Sequence, residues 1–392
     1  MTWDVQPLIQ RTTKARSWIS CKKSKLEFMY HNPVRVVETN NWQEECRNFQ
    51  EKLDIQNPLV ITSNGIFKRL NLHSVFDSRS IFWDVKPNPT FGSCQAAINF
   101  VSMSKFDGVI AIGGGSVMDT AKVAMAVIGT GICDLNELLT TTTPYKHGVP
   151  SIFMPTTHGT GSEVTKWGTI WNLGDKKKYS ISHPDLYPSI AILDGNLTLS
   201  LPLDISIVTI MDALSHSFEA IWNKKANDTS TFYATEAISL ILKNVEGLKN
   251  NPHDVELRNK LLNAANKAGL AFSNTKTAAA HSISYPLTIK YGIPHGIASS
   301  ISLIPLLRIN GDSIQSSLDK ICEKTDLKFE GLISAIKSIP KGVIPCTLDE
   351  WGIKEDQLPK LASECFTKGR MDNNIVDLDD NYVLNILKEI YN

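Results

Sequence analysis

Over its first 200 residues the chain alternates short β-branched runs with helical patterns, and after that the strand signals nearly stop. PVRVVET, PLVITS, SIFWDV, GVIAIGGG, PSIFMPTT and SIAILD are of strand length, and most carry Gly, Pro or Asn in or beside them. Helical stretches such as NNWQEECRNFQEKLD and FGSCQAAINFVSMS separate several of them. This alternation implies βαβ units and a mostly parallel sheet. Beyond TLSLPLD come SIVTIMDALSHSFEAIW, TFYATEAISLILKNV, ELRNKLLNAANKAGLAFSN, SSLDKICEKTDL and NYVLNILKEIY, all helical in period. A chain of 392 residues is long for one hydrophobic core. The expected layout is therefore an α/β domain over residues 31–200 and an all-α domain over residues 201–392, with residues 1–30 as an N-terminal extension. Clefts between domains are common ligand sites.

Composition narrows the function. Lys plus Arg equals Asp plus Glu, at 40 each, so no overall field draws in nucleic acid or an anionic membrane. An anionic substrate would need local charge. Seven cysteines, an odd count with no CxxC pair, indicate a reduced, cytoplasmic protein rather than a disulfide scaffold. No apolar run reaches the ~18 residues of a membrane span. The basic first thirty residues lack the apolar core of a secretory signal and read as a solvated extension, with organelle targeting left open.

GVIAIGGGSVMDTAK, Gly108 to Lys122, runs from a strand through three glycines into a helix. Such a turn lets backbone approach a ligand, and the helix N-terminus offers free N–H groups to a phosphate. Ser116 adds a hydroxyl, and Asp119 lies in the first helical turn. It is neither GxGxxG nor GxxxxGK[ST], so an ordinary flexible turn fits it equally well. A second polar, glycine-containing loop, PTTHGTGSE, follows another strand with Thr156, Thr157, Thr160 and Ser162. Two such loops at strand ends favour a cleft above the sheet's carboxyl edge.

Asp212 and His216 are four residues apart and share a helix face, while His281 and His295 come from separate elements, the second in a GIPHG turn. Three imidazoles and one carboxylate suit Fe²⁺ or Zn²⁺, and residue types alone do not choose between divalent metals. Taken singly, each histidine reads as an ordinary core or surface residue.

Several motifs occur together in one order: KPNPT, GGGSVMD, PTTHGTGSEVT, AILDGNLTLSLP, MDALSHSFEA and the AH…PHG stretch. Through them the chain resembles the iron-containing, group III alcohol dehydrogenases from about His31 to near the C-terminus. The resemblance implies a dinucleotide-binding α/β domain followed by a helical metal-binding domain, in the architecture shared with dehydroquinate synthase. It implies a metal held by Asp212, His216, His281 and His295, and NADH or NADPH along Gly113, Gly114, Gly115, Ser116, Thr156, Thr157 and Thr160. Asn88 of KPNPT, Asp119, Ser162 and Lys178 are further cofactor contacts on the same basis, and a homodimer is common among such proteins.

Three positions depart from the family pattern. Tyr285 stands where many members carry a further cleft histidine, and its ordinary pKa of about 10 makes it a poor base at neutral pH. His158 replaces an alanine and is a candidate replacement proton carrier. Ser63 ends the second strand where NAD-preferring members have an aspartate, and Lys68 and Arg69 follow, so NADPH is tolerated. Within the family, NTKTAAAHSISYPLT and EAIWNKKAN resemble the phosphonoacetaldehyde reductases, which implies reduction of phosphonoacetaldehyde to 2-hydroxyethylphosphonate. Lys276, five residues before His281, is then the candidate anion contact, with Thr277, Lys166 and the aromatic wall residue Phe272 beside it. Competing readings are another small aliphatic alcohol or aldehyde, a sugar-phosphate cyclase relative and an inactive metal-binding paralogue.

Overall fold

A computed structural model describes residues 30–141, 145–172, 174 and 177–392. The basic stretch expected as an extension lies almost entirely outside the described residues. Among the described residues eight strands form two sheets. Six of them, β1 (Arg35–Glu38), β2 (Pro58–Thr62), β3 (Ile81–Phe82), β4 (Gly108–Gly113), β5 (Ser151–Pro155) and β8 (Ile190–Leu193), make one parallel sheet in the order β1-β8-β5-β4-β2-β3. These six strands coincide with the six runs picked out in the sequence. Their side chains alternate between two apolar layers. Leu59, Ile61, Val109, Ala111 and Phe153 face one layer, and Val60, Ile110, Ile112, Ile152 and Met154 face the other. Buried on both sides, the strands read as continuous β-branched runs.

The remaining pair, β6 (Trp167–Asn172) and β7 (Lys177–Ser182), forms an antiparallel hairpin that the sequence reading missed. Its first strand carries a glycine and its second begins with consecutive lysines, which hides the alternation. Asp119 anchors the hairpin, accepting from Thr169 N at 3.0 Å and from Ser162 Oγ at 2.9 Å. Lys122, fully buried one turn later, donates to Ser162 O, Ser162 Oγ, Thr165 Oγ1 and Trp167 O at 2.7–2.9 Å.

From Leu203 onward every named element is helical. The long helices Leu203–Ile221, Asp228–Asn250 and Val255–Thr275 pack on one another around a separate apolar core that includes Phe218, Trp222, Ile238 and Leu261. The two halves meet closely where a loop of the first touches the Val255–Thr275 helix. A Cβ added at Gly161 would stand 2.3 Å from Gly269 Cα, and Gly161 has φ +55°. Only two glycines facing each other permit this approach.

Candidate functional site

β4 ends at Gly113, and the helix Gly115–Thr130 starts two residues later with no side chain capping it. Its first N–H groups therefore lack the usual Ser, Thr or Asp acceptor, as an anion-binding helix start requires. Thr160 closes over the turn, so that a Cβ at Gly115 would lie 2.6 Å from Thr160 Cγ2. Thr157 lies similarly over Gly114, and Thr156 N donates to Gly113 O at 3.1 Å. Asn88, at φ +56°, donates its backbone N–H to Ser116 Oγ at 3.1 Å. This cradle opens into a cleft of about 240 Å³ whose lining includes Asn88, Gly115, Ser116 and Thr160 from the sheet side. From the helical side come Asp212, His216, Phe272, Lys276, Thr277, His281, Tyr285, His295 and Arg370.

Asp212 and His216 share the Leu203–Ile221 helix, His281 sits on the helix Ala279–Tyr291, and His295 is the first residue of the helix His295–Ser300. The sequence reading placed His295 in a turn. The turn is Gly292–Pro294, and Pro294 sets the helix start. Ligand atoms of Asp212, His216 and His281 all lie within 4.8 Å of one another. His281 Nε2 and His295 Nε2 approach Asp212 Oδ1 to 3.6 and 4.0 Å, and the His281 and His295 ring centroids are 5.3 Å apart. All three rings carry a buried nitrogen without a hydrogen-bond partner: His216 Nδ1, His281 Nε2 and His295 Nδ1. Buried polar atoms are nearly always paired, so the orphaned Nε2 beside a carboxylate suits a cation-binding position.

Electrostatics agree. Burial alone would raise the Asp212 carboxyl, yet the surrounding imidazoles hold it far below the usual range. Burial lowers His216 to about 4 and His295 to about 3, which leaves both neutral at physiological pH, as metal ligation requires. His281 is the exception. Burial would lower it, but the Glu219 and Asp212 carboxylates outweigh that and raise it to about 9. Glu219, fully buried, accepts from His281 Nδ1 at 2.5 Å and from His281 N at 3.0 Å. This keeps a proton on Nδ1, so that Nε2 is the nitrogen that would give up its proton to a metal. The chemistry of the donor set thus fits a divalent cation. Phe272 lies face to face with His216, centroids 4.1 Å apart at 8°, and holds that ring in place.

Two family models cover most of the chain: iron-containing alcohol dehydrogenase over residues 33–195, and the C-terminal part of the Fe-containing alcohol dehydrogenase family over residues 206–391. The chain is 33% identical over 306 residues to long-chain-alcohol dehydrogenase 1 of Geobacillus thermodenitrificans, covering 74% of this chain and 76% of that protein. The chain belongs to the iron-containing alcohol dehydrogenase family. It is also 34% identical over 210 residues to the phosphonoacetaldehyde reductase of Streptomyces viridochromogenes, covering 52% of this chain and 53% of the relative. The sulfoacetaldehyde reductase of Bifidobacterium kashiwanohense, solved in complex with NAD⁺, superposes with a TM-score of 0.84 at 29% identity, covering 92% of this chain and 98% of that one.

As a member of this family the chain is an oxidoreductase, and most of the expected site residues gather at one cleft. His158 does not, and is corrected, while Ser63 and Lys166 lie outside its lining. His158 is fully buried, reaches no partner through either ring nitrogen and is absent from the cleft lining. Burial, with the charge of Arg258, lowers it to about 3, so the ring stays neutral at physiological pH and takes up no second proton. Ser63 lies at the sheet's carboxyl edge, but its Oγ accepts from Ile66 N and caps the helix Asn64–Arg69. Arg69, expected beside it, donates to Ser200 O at 3.2 Å. Asp119 and Ser162 line the cleft with polar atoms committed to each other and to the hairpin. Lys166 is not itself in the lining, but its charge reaches Lys276.

Tyr285 differs from expectation. Burial would raise its phenol, but the charges of Lys178, Arg370 and His281, with a hydrogen bond from Arg370, bring it down to about 8. Lys178 Nζ lies 4.7 Å from the Tyr285 ring centroid and 5.3 Å from that of Trp171. Sequence reasoning missed Glu219 and Arg370. Glu219 could have been found as the next acid on the Asp212–His216 helix, whereas Arg370 lies in a KGR turn with no local pattern to mark it.

Proposed function

We propose that this alcohol dehydrogenase reduces a small anionic aldehyde, phosphonoacetaldehyde, to its alcohol. The observation that carries the reading is a group of cations at the cleft without counter-ions. Lys276 and Arg370 line it, and Lys225 and Lys166 are close enough to act on Lys276. Among the described residues none of these four has a carboxylate within ion-pair distance. Like charges gathered in this way repel, and a dianion relieves the repulsion. Lys276 also adopts φ +66° and ψ −178°, backbone space that is essentially glycine-only. Such strain is tolerated where a side chain has a task.

Asp212, His216, His281 and His295 would hold a divalent cation, Fe²⁺ in the family's name, and Glu219 orients His281. A cation there would supply Lewis-acid polarisation of a carbonyl oxygen, and a nicotinamide along Gly113–Ser116 and Thr156–Thr160 would supply hydride. This chain's residues do the rest. Lys276 and Thr277 fix the anionic end, and Phe272 and Trp167 exclude water. The Tyr285 phenol, acidified by Lys178 and Arg370, gives its proton to the product oxygen. With no acid at Ser63 to repel a 2′-phosphate, the reading includes NADPH as well as NADH. On the family resemblance alone it extends to a cytoplasmic homodimer; no helix among the described residues is long and apolar enough to cross a membrane.

The test is an aldehyde panel with NADH and NADPH after loading with Fe²⁺ or Zn²⁺. Phosphonoacetaldehyde is expected to exceed acetaldehyde in kcat/KM by on the order of a hundredfold, the worth of two charge-assisted contacts. Equal turnover of the two aldehydes overturns the reading.

A further inference from the structure

We propose that Arg370 is a specificity-determining residue of this enzyme, a second anchor for the substrate's anionic group, fixed relative to Lys276 by the carboxamide of Asn373. The inference rests on the anionic-aldehyde reading and adds the residue that makes the anion contact bidentate.

Two turns meet at this place. Lys276–Thr277 leads into the helix of His281, and Gly369–Arg370 follows the helix Leu358–Glu364. The Asn373 carboxamide joins them, Nδ2 donating to Thr277 O at 2.9 Å and to Gly369 O at 2.8 Å. On the Lys276 side the conformation is held further. Its N–H donates to Phe272 O at 2.8 Å, and its carbonyl accepts from Asn223 Nδ2 at 3.2 Å. Ser282 Oγ accepts from Thr367 N at 2.9 Å and ties the Arg370 segment to the same helix. Both cation-bearing turns are thus fixed by buried amides and hydroxyls before any ligand arrives, and preorganisation lowers the cost of binding.

Arg370 is only partly committed. Nε donates to Tyr285 Oη at 3.2 Å and Nη1 to Gly369 O at 2.8 Å. A guanidinium has five N–H donors, so three remain, including both on Nη2. A planar fork with free N–H groups matches two oxygens of a phosphonate or phosphate, which a lysine contacts only as a point charge. Tyr285 lies one helical turn beyond His281, so Arg370 links the anion site to the end of the cleft where the carbonyl is reduced. An aldehyde without the anionic group would leave those N–H groups and the neighbouring lysines unsatisfied.

The test uses the metal-loaded enzyme with bound NADH and methylphosphonate as the probe, titrated calorimetrically. Arg370→Ala is expected to raise the methylphosphonate Kd roughly 10–100-fold, and Arg370→Lys by less, since charge is kept and the fork is lost. The NADH Kd is expected to stay at the wild-type value, and the kcat/KM ratio of phosphonoacetaldehyde to acetaldehyde to fall in the same order, Lys above Ala. Thermal unfolding of both variants separates a folding failure from lost binding, and Arg370→Lys carries the test if Arg370→Ala does not fold. An unchanged methylphosphonate Kd overturns the proposal even if wild type reduces phosphonoacetaldehyde. So does a variant that loses NADH affinity instead. If wild type binds methylphosphonate through Arg370 yet does not turn over phosphonoacetaldehyde, the anion anchor stands and the substrate reading falls.

Discussion

Replacing Lys276 with alanine and with glycine separates the two things this residue does. Both variants remove the ammonium from a cleft where Lys225, Arg370 and Lys166 already repel it. Only glycine also removes the Cβ that φ +66°, ψ −178° disfavours. At an ordinary position glycine is less stable than alanine by roughly 0.5–1 kcal/mol, because the unfolded chain gains freedom. Relief of strain in this backbone region is worth about 1–3 kcal/mol. The difference predicts that Lys276→Gly is more stable than Lys276→Ala by about 1 kcal/mol, a reversal of the usual sign. The conformation cannot relax around alanine, because Phe272 O, Asn223 and Thr275 grip the peptide on both sides. Parallel thermal and urea unfolding of the two metal-loaded variants measures the gap. Both variants should also lose roughly 10–100-fold in kcat/KM for phosphonoacetaldehyde, since neither carries the cation. Glycine at or below alanine in stability would refute the strain argument. Undiminished turnover of phosphonoacetaldehyde would refute the reason given for keeping the strain.

Other perturbations test the remaining parts of the site. His281→Ala should leave the chain with little bound metal by elemental analysis and reduce kcat by at least a hundredfold, whereas Glu219→Gln should weaken metal affinity ~10–100-fold with the ligands intact. With a neutral aldehyde, so that substrate ionisation does not enter, reduction should decline as pH rises through about 8, because the Tyr285 proton donor is lost. The reverse oxidation should rise over the same range, and Tyr285→Phe should flatten both limbs in a pH–rate profile. Ser63→Asp should shift the NADH to NADPH ratio of kcat/KM towards NADH by on the order of tenfold through repulsion of the 2′-phosphate, read from initial rates with each coenzyme.

What the sequence carried, and what it did not, follows from range. Five of the six parallel strands are buried on both faces and read as short apolar runs, and the edge strand β1 still shows its paired valines. The β6–β7 hairpin was not, because Asp119 and Lys122, some fifty residues earlier, hold it in place rather than its own alternation. All four ligand candidates come from motifs that also carry the family resemblance. Glu219 and Arg370 act through contacts 62 and 85 residues away in the chain. The misjudged acidity of Tyr285 has the same origin, since Lys178 and Arg370 reach it from different elements. His158 looked like chemistry because its residue type is reactive, and only its complete burial shows that no proton can come or go.

The bare backbone contact at Gly161 and Gly269 has a consequence for recombination. Loop and helix there leave no space for a methyl group on either strand of the chain. A chimaera that took its first 200 residues from a relative would inherit the nucleotide-side loop from one parent and the helix from another. It would assemble only if both parents kept that position bare. The lobes are therefore not interchangeable parts: one shared point of touch obliges them to travel together.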